Sequence, residues 1–254
     1  MGGRGSNGAT STQISTRVRT PPVSIGWFCQ TELDAAVRAR VLPAEVVLDV
    51  GAGIRPQTLV HSRVHICVEP HATYVRRLLN KAVNDPRLVV LAVEWSEAMS
   101  ALPDKSVDAV IALDFIEHLS KLDGERFLLE AERLARRQIV LFTPLGFYPQ
   151  GVLEGHLDRW GLDGGEWQAH RSGWTPADFD DRWHLLCCRS YHFLDEHDQV
   201  LEEPFGALWA IRDFEQPPPP RTVRAASASH RLVDRFWTWA GSGASAACRL
   251  VHRN

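Results

Sequence analysis

Residues 46–53, with the sequence VVLDVGAG, contain the strongest structural signal in the chain. Its first five positions are mostly branched apolar residues, which predict a strand that is buried on both faces. Gly51 and Gly53 predict a tight turn directly after that strand, because glycine adopts backbone conformations that other residues avoid. Such a turn can approach a ligand closely, and the carboxylate of Asp49 can accept hydrogen bonds from ligand or loop donors.

The alternation of apolar runs and helical stretches continues along the chain. Further strands are predicted at 65–68, 88–93, 108–113 and 138–143, and helices are predicted after Thr31, just after the glycine turn, at 71–83, near 123–137 and after Thr175. Strands with continuous apolar runs, separated by helices, are typical of a parallel sheet covered on both faces. Runs at 185–193 and 205–212 flank a polar turn and predict a closing hairpin. We therefore expect an α/β fold with a doubly wound, mostly parallel sheet and an antiparallel C-terminal hairpin strand.

Composition predicts three parts in the chain of 254 residues. Residues 1–22 are rich in Gly, Ser, Thr and Arg and are expected to be a disordered leader. Residues 23–216 form the globular domain. Within it, 144–174 is rich in glycine and tryptophan without a clear periodicity, which predicts a lid or substrate loop. Residues 217–254 begin with four prolines, which predict a rigid break, and are expected to form a basic, partly amphipathic tail.

The charge distribution disfavours a nucleic acid as the partner. Residues 21–216 carry 19 basic and 30 acidic side chains, whereas the whole chain has a net charge of -3. An acidic body repels a phosphate backbone. The tail from 221 to 254 has six Arg and one acidic residue, and one face of its predicted helix is apolar, so it could contact a membrane surface or a partner peripherally.

The sequence favours a cytoplasmic location. Its N-terminal residues lack the apolar segment of a signal peptide, and no run is long and apolar enough to span a bilayer. Five cysteines show neither paired spacing nor the density of a secreted disulfide scaffold.

The second predicted strand ends in Val68-Glu69-Pro70. In doubly wound folds, an acidic residue at this position holds ribose hydroxyls. Two cofactors fit, a nicotinamide dinucleotide or S-adenosylmethionine. The turn after the first strand reads GAGIRP, and Pro56 stands where the dinucleotide fingerprint has its third glycine. This difference favours S-adenosylmethionine.

With these motifs, the chain resembles class I S-adenosylmethionine-dependent methyltransferases of the type 11-like group. LDVGAG (48–53) is similar to the family's first motif, VEP (68–70) to its ribose-binding acid, LDFIEHL (113–119) to its D-x-x-E-H segment, and LFTPLGF (141–147) to its fifth-strand motif. The resemblance covers residues 44–212 and implies a Rossmann-like methyltransferase fold. A narrower resemblance, over 146–175, is to methyltransferases of sugar and polysaccharide biosynthesis.

The resemblance implies a set of cofactor-binding residues. Glu94 is expected to face the adenine amino group, and the backbone of Trp95 is expected to face the adenine ring. Asp114 is expected at the boundary between cofactor and acceptor. The full set implied is Asp49, Gly51, Gly53, Glu69, Glu94, Trp95 and Asp114.

Methyl transfer to a hydroxyl needs a group that orients or deprotonates the acceptor, and histidine is suited to this near neutral pH. Candidate catalytic residues are His118, after the fourth strand, and His156 and His170, in the loop. Trp160, Trp167 and Trp174 recur every seven residues, and aromatic faces stack on sugar rings. With Arg171, they are the candidate substrate residues.

The sequence thus predicts an S-adenosylmethionine-dependent O-methyltransferase that acts on a saccharide or another small molecule. An NAD(P)-dependent oxidoreductase and a non-catalytic cofactor-binding module with a partner- or membrane-binding tail remain alternatives. Asp114, Glu117 and His118 have a spacing that a divalent metal could use. Local hydrogen bonding at a helix start is the preferred interpretation of that spacing, so no metal is expected.

Overall fold

The computed structural model describes residues 24–151, 157–158, 160–195 and 199–214. The predicted leader, the tail and His156 lie outside these residues. The strands are β1 Ser24–Trp27, β2 Val46–Val50, β3 Val64–Val68, β4 Leu88–Leu91, β5 Val107–Leu113, β6 Ala135–Pro144, β7 His184–Leu194 and β8 Val200–Asp213. The helices are α1 Gln30–Arg40, α2 Ala72–Ala82, α3 Trp95–Ser100 and α4 Lys121–Leu134, and single 3-10 turns lie at Ile116–His118, Gly165–Gln168 and Pro176–Asp178.

All eight strands form one sheet in the order β1-β7-β8-β6-β5-β2-β3-β4. The five strands from β2 to β6 are parallel, and β8 pairs antiparallel with both β6 and β7. This confirms the doubly wound, mostly parallel sheet and the antiparallel C-terminal hairpin. The chain runs from β2 outward to β4 and then returns to add β5 on the other side of β2. A crevice therefore opens between the carboxyl ends of β2 and β5, where such folds bind ligands.

Two layers of apolar side chains cover the sheet, because successive residues of a strand point to opposite faces. Val47 and Ile111 pack with Leu33 and Val37 of α1 on one face. On the other face, residues such as Leu48 pack with the apolar sides of α3 and α4. No helix among the described residues is long and apolar enough to cross a lipid bilayer.

The prediction of a helix after the glycine turn is wrong. Residues 51–63 contain turns and bends but no helix. Side-chain hydrogen bonds shape this loop instead. Asp49 Oδ2 accepts the Gln57 backbone N–H at 2.8 Å, and the Gln57 side chain pairs with the N–H and C=O of Val60. These bonds give the backbone an alternative to helical pairing.

Helix boundaries also differ from the sequence expectations. Helix α1 begins after Cys29, whose N–H donates to Glu32 Oε2 at 3.3 Å, so the cap lies two residues before Thr31. Helix α4 ends at Leu134 and the chain enters β6 at once, three residues earlier than expected. The helix expected after Thr175 is a single 3-10 turn, because the chain turns toward β7 within a few residues. Strand β1 and helix α3 were not predicted, since each is short.

Candidate functional site

A cavity of about 530 Å³ opens at the carboxyl edge of the sheet. This volume lies in the range of small-molecule sites. The residue after each of β2, β3 and β5 lies on its wall, namely Gly51, Glu69 and Asp114, and Glu94 follows β4 a few residues on. The predicted site residues on the cavity wall are Gly51, Gly53, Glu69, Glu94, Trp95, Asp114, His118, Trp160, Trp167 and Arg171.

Gly51 permits the sharp turn out of β2. Its φ is +69°, in the left-handed region that favours glycine. A Cβ at this position would lie 2.3 Å from Cδ2 of Phe115, so a side chain would also collide with the segment that follows β5. The glycine therefore allows the two loops beside the crevice to meet closely.

Glu69 links the end of β3 to the glycine turn. Its Oε2 accepts the Gly53 N–H at 2.8 Å and its Oε1 accepts the His71 N–H at 2.9 Å. Burial raises the pKa of this carboxyl, and these two backbone hydrogen bonds oppose that rise. Each oxygen keeps a second lone pair, which can accept a hydroxyl of a bound ligand.

Asp114 has a left-handed backbone, with φ of +49°. Aspartate tolerates this region better than most residues, and strain of this kind is common at binding sites. Its N–H donates to Phe142 O at 3.0 Å, which holds the end of β5 against β6. The conformation turns the chain from β5 into the 3-10 turn that carries Glu117 and His118.

Asp49 is not on the cavity wall, contrary to the cofactor role implied for it. Its side chain is buried, and its Oδ2 accepts Gln57 N at 2.8 Å and contacts His65 Nε2 at 2.9 Å. It stands on the strand itself, two residues before the turn. The carboxylate therefore shapes the glycine loop from behind.

His118 reaches the cavity from the turn after β5. Its Nδ1 lies 3.2 Å from Ala169 O; a carbonyl only accepts, so Nδ1 carries the proton and Nε2 keeps a lone pair. Burial, followed by the nearby His170, lowers the pKa of His118 to about 4. The imidazole is thus neutral at pH 7 and a weaker base than the sequence suggested.

His170 stands behind His118 and does not line the cavity. The two ring centroids are 5.0 Å apart, and His170 Nδ1 lies 2.7 Å from Tyr148 O. Beside them, Glu117 is only 2% exposed. Burial, with the charge of Asp114, raises the pKa of Glu117 well above its usual range.

The three tryptophans of the loop do not share one role. Trp160 and Trp167 are 40% and 43% exposed and line the cavity. Trp174 is 0% exposed, its Nε1 donates to Ser172 Oγ at 3.0 Å, and the Lys121 ammonium lies 3.7 Å from its ring centroid. The expectation that Trp174 contacts substrate is corrected, because this ring anchors the loop in the core.

Several cavity residues were not predicted from the sequence. Tyr74 projects from α2, donates its hydroxyl to Asp158, and packs edge-on against Trp160 at a centroid distance of 5.7 Å. Burial, followed by Asp158, raises the pKa of its phenol. A tyrosine on the buried face of a helix carries no binding signal in the sequence. The other unpredicted wall residues include Arg55, Phe115, Leu119, Glu166 and Gln168.

Part of the chain is similar to known proteins. Residues 48–142 match the family described as a methyltransferase domain. No curated protein matches the sequence. Among solved structures, this chain is similar to magnesium protoporphyrin IX methyltransferase from Synechocystis PCC 6803 with bound SAM. That pair has 18% identity and a TM-score of 0.43, and the match covers 72% of this chain and 79% of the other.

Two further structures show the same kind of similarity. YcgJ from Bacillus subtilis has 12% identity and a TM-score of 0.46 over 74% of this chain and 99% of its own. The phosphoethanolamine N-methyltransferase 1 of Haemonchus contortus has 16% identity and a TM-score of 0.44 over 74% and 45%. Residues 48–142, which match the methyltransferase-domain family, span the Rossmann-like part of the sheet from β2 into β6.

Proposed function

We propose that this chain transfers a methyl group from S-adenosylmethionine to a hydroxyl oxygen of a small-molecule acceptor, with saccharides as the favoured class. The observation that carries the proposal is the convergence of Gly51, Glu69, Glu94 and Asp114 on one cavity at the crevice between β2 and β5. Glu69 offers lone pairs for the ribose hydroxyls, and Glu94 offers a carboxylate for the adenine amino group. Trp95 lines the same cavity wall beside it.

The acceptor side is formed by His118 and the loop. His118 lines the cavity with Nε2 unprotonated, so Nε2 can accept a hydrogen bond from the hydroxyl group of the substrate. When bound, S-adenosylmethionine would supply the methyl group: its carbon–sulfur bond would break, with the electron pair going to sulfur, as the acceptor oxygen bonds to the methyl carbon. His118 Nε2 would orient the hydroxyl through a hydrogen bond, and the hydroxyl proton would pass to solvent, because an imidazole with a pKa of about 4 does not retain it. S-adenosylhomocysteine and a methyl ether would result, and orientation of the two reactants within the cavity would supply much of the rate.

A saccharide acceptor is favoured by the two half-exposed tryptophans. Trp160 and Trp167 line the cavity and are 40% and 43% exposed, so their rings are accessible to the apolar C–H surface of a sugar. Arg171 lies on the same wall and offers donors to hydroxyl or carboxylate groups of the acceptor.

The proposal is tested by incubating the protein with S-adenosylmethionine and a panel of glycosides, secondary metabolites and amines. Mass spectrometry should detect gain of one methylene mass on a hydroxylated acceptor. Trp160→Ala and Trp167→Ala should raise KM for that acceptor about tenfold each, whereas Trp27→Ala, an exposed tryptophan of β1, should leave KM unchanged. Methylation only of amines would refute the oxygen assignment, and cofactor binding without any product would favour the non-catalytic module.

A further inference from the structure

A carboxylate and two imidazoles form a cluster beside the cavity. One ligand-forming atom from each of Glu117, His118 and His170 lies within 4.8 Å of the others. Glu117 and His118 belong to the 3-10 turn after β5, and His170 belongs to the loop that follows β6. The residues come together only in the fold, since His170 is far from the other two in sequence.

Both carboxylate oxygens of Glu117 are buried, and neither makes a hydrogen bond of regular geometry among the residues that the structure describes, although the Thr143 hydroxyl lies near enough to lower the pKa of the carboxyl. Buried polar groups are nearly always paired, so two such oxygens on one side chain need an explanation. A cation at this position would favour the ionised carboxylate, against the burial and the Asp114 charge that raise its pKa.

Both imidazoles are oriented as metal ligands usually are. Nδ1 of His118 lies against Ala169 O and Nδ1 of His170 against Tyr148 O, at 3.2 and 2.7 Å. Because carbonyl oxygens only accept, each Nδ1 carries a proton, and Nε2 of His118, which is neutral at pH 7, keeps its lone pair. Metal-bound histidines typically have this second hydrogen bond to a carbonyl or carboxylate, which fixes the ring and the tautomer.

Backbone bonds hold the cluster in place. The carbonyl of Glu117 accepts the N–H groups of Arg171 and Ser172 at 2.8 and 3.0 Å, and Ser172 Oγ donates to Ile116 O at 3.3 Å. The 3-10 turn and the residues around His170 are thus joined through the main chain. Such a supported cluster can bind an ion without a large rearrangement.

A second cluster in the fold has the right residue types but lacks these features. One ligand-forming atom from each of Asp49, His65 and Cys67 also lies within 4.8 Å of the other two. There, Asp49 Oδ2 already accepts Gln57 N and contacts His65 Nε2, and none of the three residues lines the cavity. The cluster at Glu117 is therefore the better candidate for a metal site.

We infer that Glu117, His118 and His170 form a binding site for a divalent transition-metal ion at the wall of the cavity. Two imidazoles and one carboxylate are a ligand set that suits Zn²⁺, Fe²⁺ or Mn²⁺ better than Mg²⁺, which prefers oxygen ligands. Three protein ligands leave coordination positions for solvent or substrate.

One consequence rests on the function proposed above. With the ion bound, Nε2 of His118 is a ligand, and the ion instead of the imidazole contacts the acceptor oxygen. An acceptor with two adjacent oxygens would then be favoured, because it can chelate the ion. Metal binding itself is independent of methyl transfer and is measured without cofactor or acceptor.

The test is calorimetric titration of the metal-free, untagged full-length protein with Zn²⁺, and separately with Mg²⁺. We expect one Zn²⁺ per chain, and Mg²⁺ at least about tenfold weaker. Glu117→Gln, His118→Gln and His170→Gln should each weaken Zn²⁺ binding by more than about 100-fold, since each removes a ligand. Glu97→Gln and His184→Gln, which replace the same residue types outside the cluster, should leave the affinity unchanged.

A spectroscopic measurement keeps the test valid if one variant folds poorly. Co²⁺ added to the metal-free protein should give visible d–d bands, and the bands should be absent in His170→Gln, whose fold is checked by circular dichroism. Absence of stoichiometric Zn²⁺ binding, or equal binding by the wild type and all three ligand variants, would overturn the inference. Zn²⁺ binding without any methylated product would leave the site standing and refute the proposed function alone.

Discussion

At the scale of single residues, part of the cavity wall is formed by residues that directly follow buried strands. Gly51, Glu69 and Asp114 could be predicted because a residue that ends a buried strand has only one edge of the sheet to occupy. Asp49 illustrates the limit of this reasoning. The sequence places it beside the turn, but only the coordinates show that Gln57 and His65 occupy its carboxylate.

Glu94 provides a direct test of the adenine contact. It precedes α3 and makes no side-chain capping hydrogen bond, so its removal should not disturb the helix. We expect Glu94→Ala to lower the affinity for S-adenosylhomocysteine about tenfold, the effect of one hydrogen bond to a charged group. Glu97→Ala, on the same helix but off the cavity wall, is the control, and calorimetry measures both. Equal affinities of the two variants would remove Glu94 from the site.

Asp108 is a structural carboxylate with a pH signature. Its Oδ2 accepts the N–H groups of Glu45 and Val46 at 2.9 Å each, and its Oδ1 lies 2.9 Å from Arg136. Burial would raise its pKa, but these hydrogen bonds and Arg136 outweigh burial and hold the pKa below the usual 3.8. A lowered folded-state pKa stabilises the fold above the unfolded value and loses that effect as the pH falls.

We therefore expect Asp108→Asn to reduce the free energy of unfolding by about 1–3 kcal/mol at pH 7. Below about pH 4 the difference from the wild type should shrink, because the carboxyl of the unfolded wild type takes up a proton there while the folded form stays charged to lower pH. Urea denaturation at several pH values measures this. A difference that stays constant down to pH 3 would show that the charge of Asp108 has no part in it.

At the scale of secondary-structure elements, the buried strands were predictable and their short partners were not. The apolar runs of β2 to β6 have no interpretation other than a covered sheet. By contrast, β1 has four residues, and its parallel partner β7 lies far away in sequence. The helix that the sequence predicts after β2 does not form. The backbone N–H groups of Gln57 and Val60 in that loop donate to side chains, and a hydrophobic pattern does not predict such bonds.

Helix α4 packs against the loop of residues 144–174 at Gly124. A Cβ on Gly124 would lie 2.4 Å from Cζ2 of Trp174, so the glycine makes room for the buried ring. Alanine in a helix interior normally adds about 1 kcal/mol of stability over glycine. Here we expect Gly124→Ala to lower stability by about 1–3 kcal/mol instead, because overpacking outweighs propensity.

Thermal unfolding of Gly124→Ala measures this effect, and Glu125→Ala at the exposed neighbouring position is the control. If Trp174 anchors the loop, the glycine variant should also raise KM for the acceptor, since Trp160 and Trp167 belong to the same loop. A Gly124→Ala protein that is more stable than the wild type would mean that the ring does not occupy this space.

At the scale of the whole molecule, the cavity is formed by segments from distant parts of the chain. The loops after β2, β3, β4 and β5 supply one wall, and residues 160–171 supply another. The sequence could predict the first wall, because parallel strands bring their carboxyl ends to one edge. It could not predict that Tyr74 and Asp158 tie α2 to the loop, since no local pattern records that contact.

A ligand that spans these segments should stabilise the entire domain. At a concentration 100 times its Kd, a ligand that binds only the folded protein adds about 2.7 kcal/mol. S-adenosylhomocysteine at such a concentration should therefore raise the Tm by several degrees, measured by scanning calorimetry. NAD at the same concentration should leave the Tm unchanged. A Tm that rises with NAD but not with S-adenosylhomocysteine would favour the oxidoreductase alternative.

We propose that the cavity at the edge of β2 and β3 binds the nucleoside of S-adenosylmethionine. Isothermal titration of the wild type and of Glu69→Ala with S-adenosylhomocysteine measures this binding. We expect one site per wild-type chain and an affinity at least about tenfold lower in the variant, with its fold checked by circular dichroism. No binding to the wild type, or undiminished binding to a folded Glu69→Ala protein, would contradict the claim.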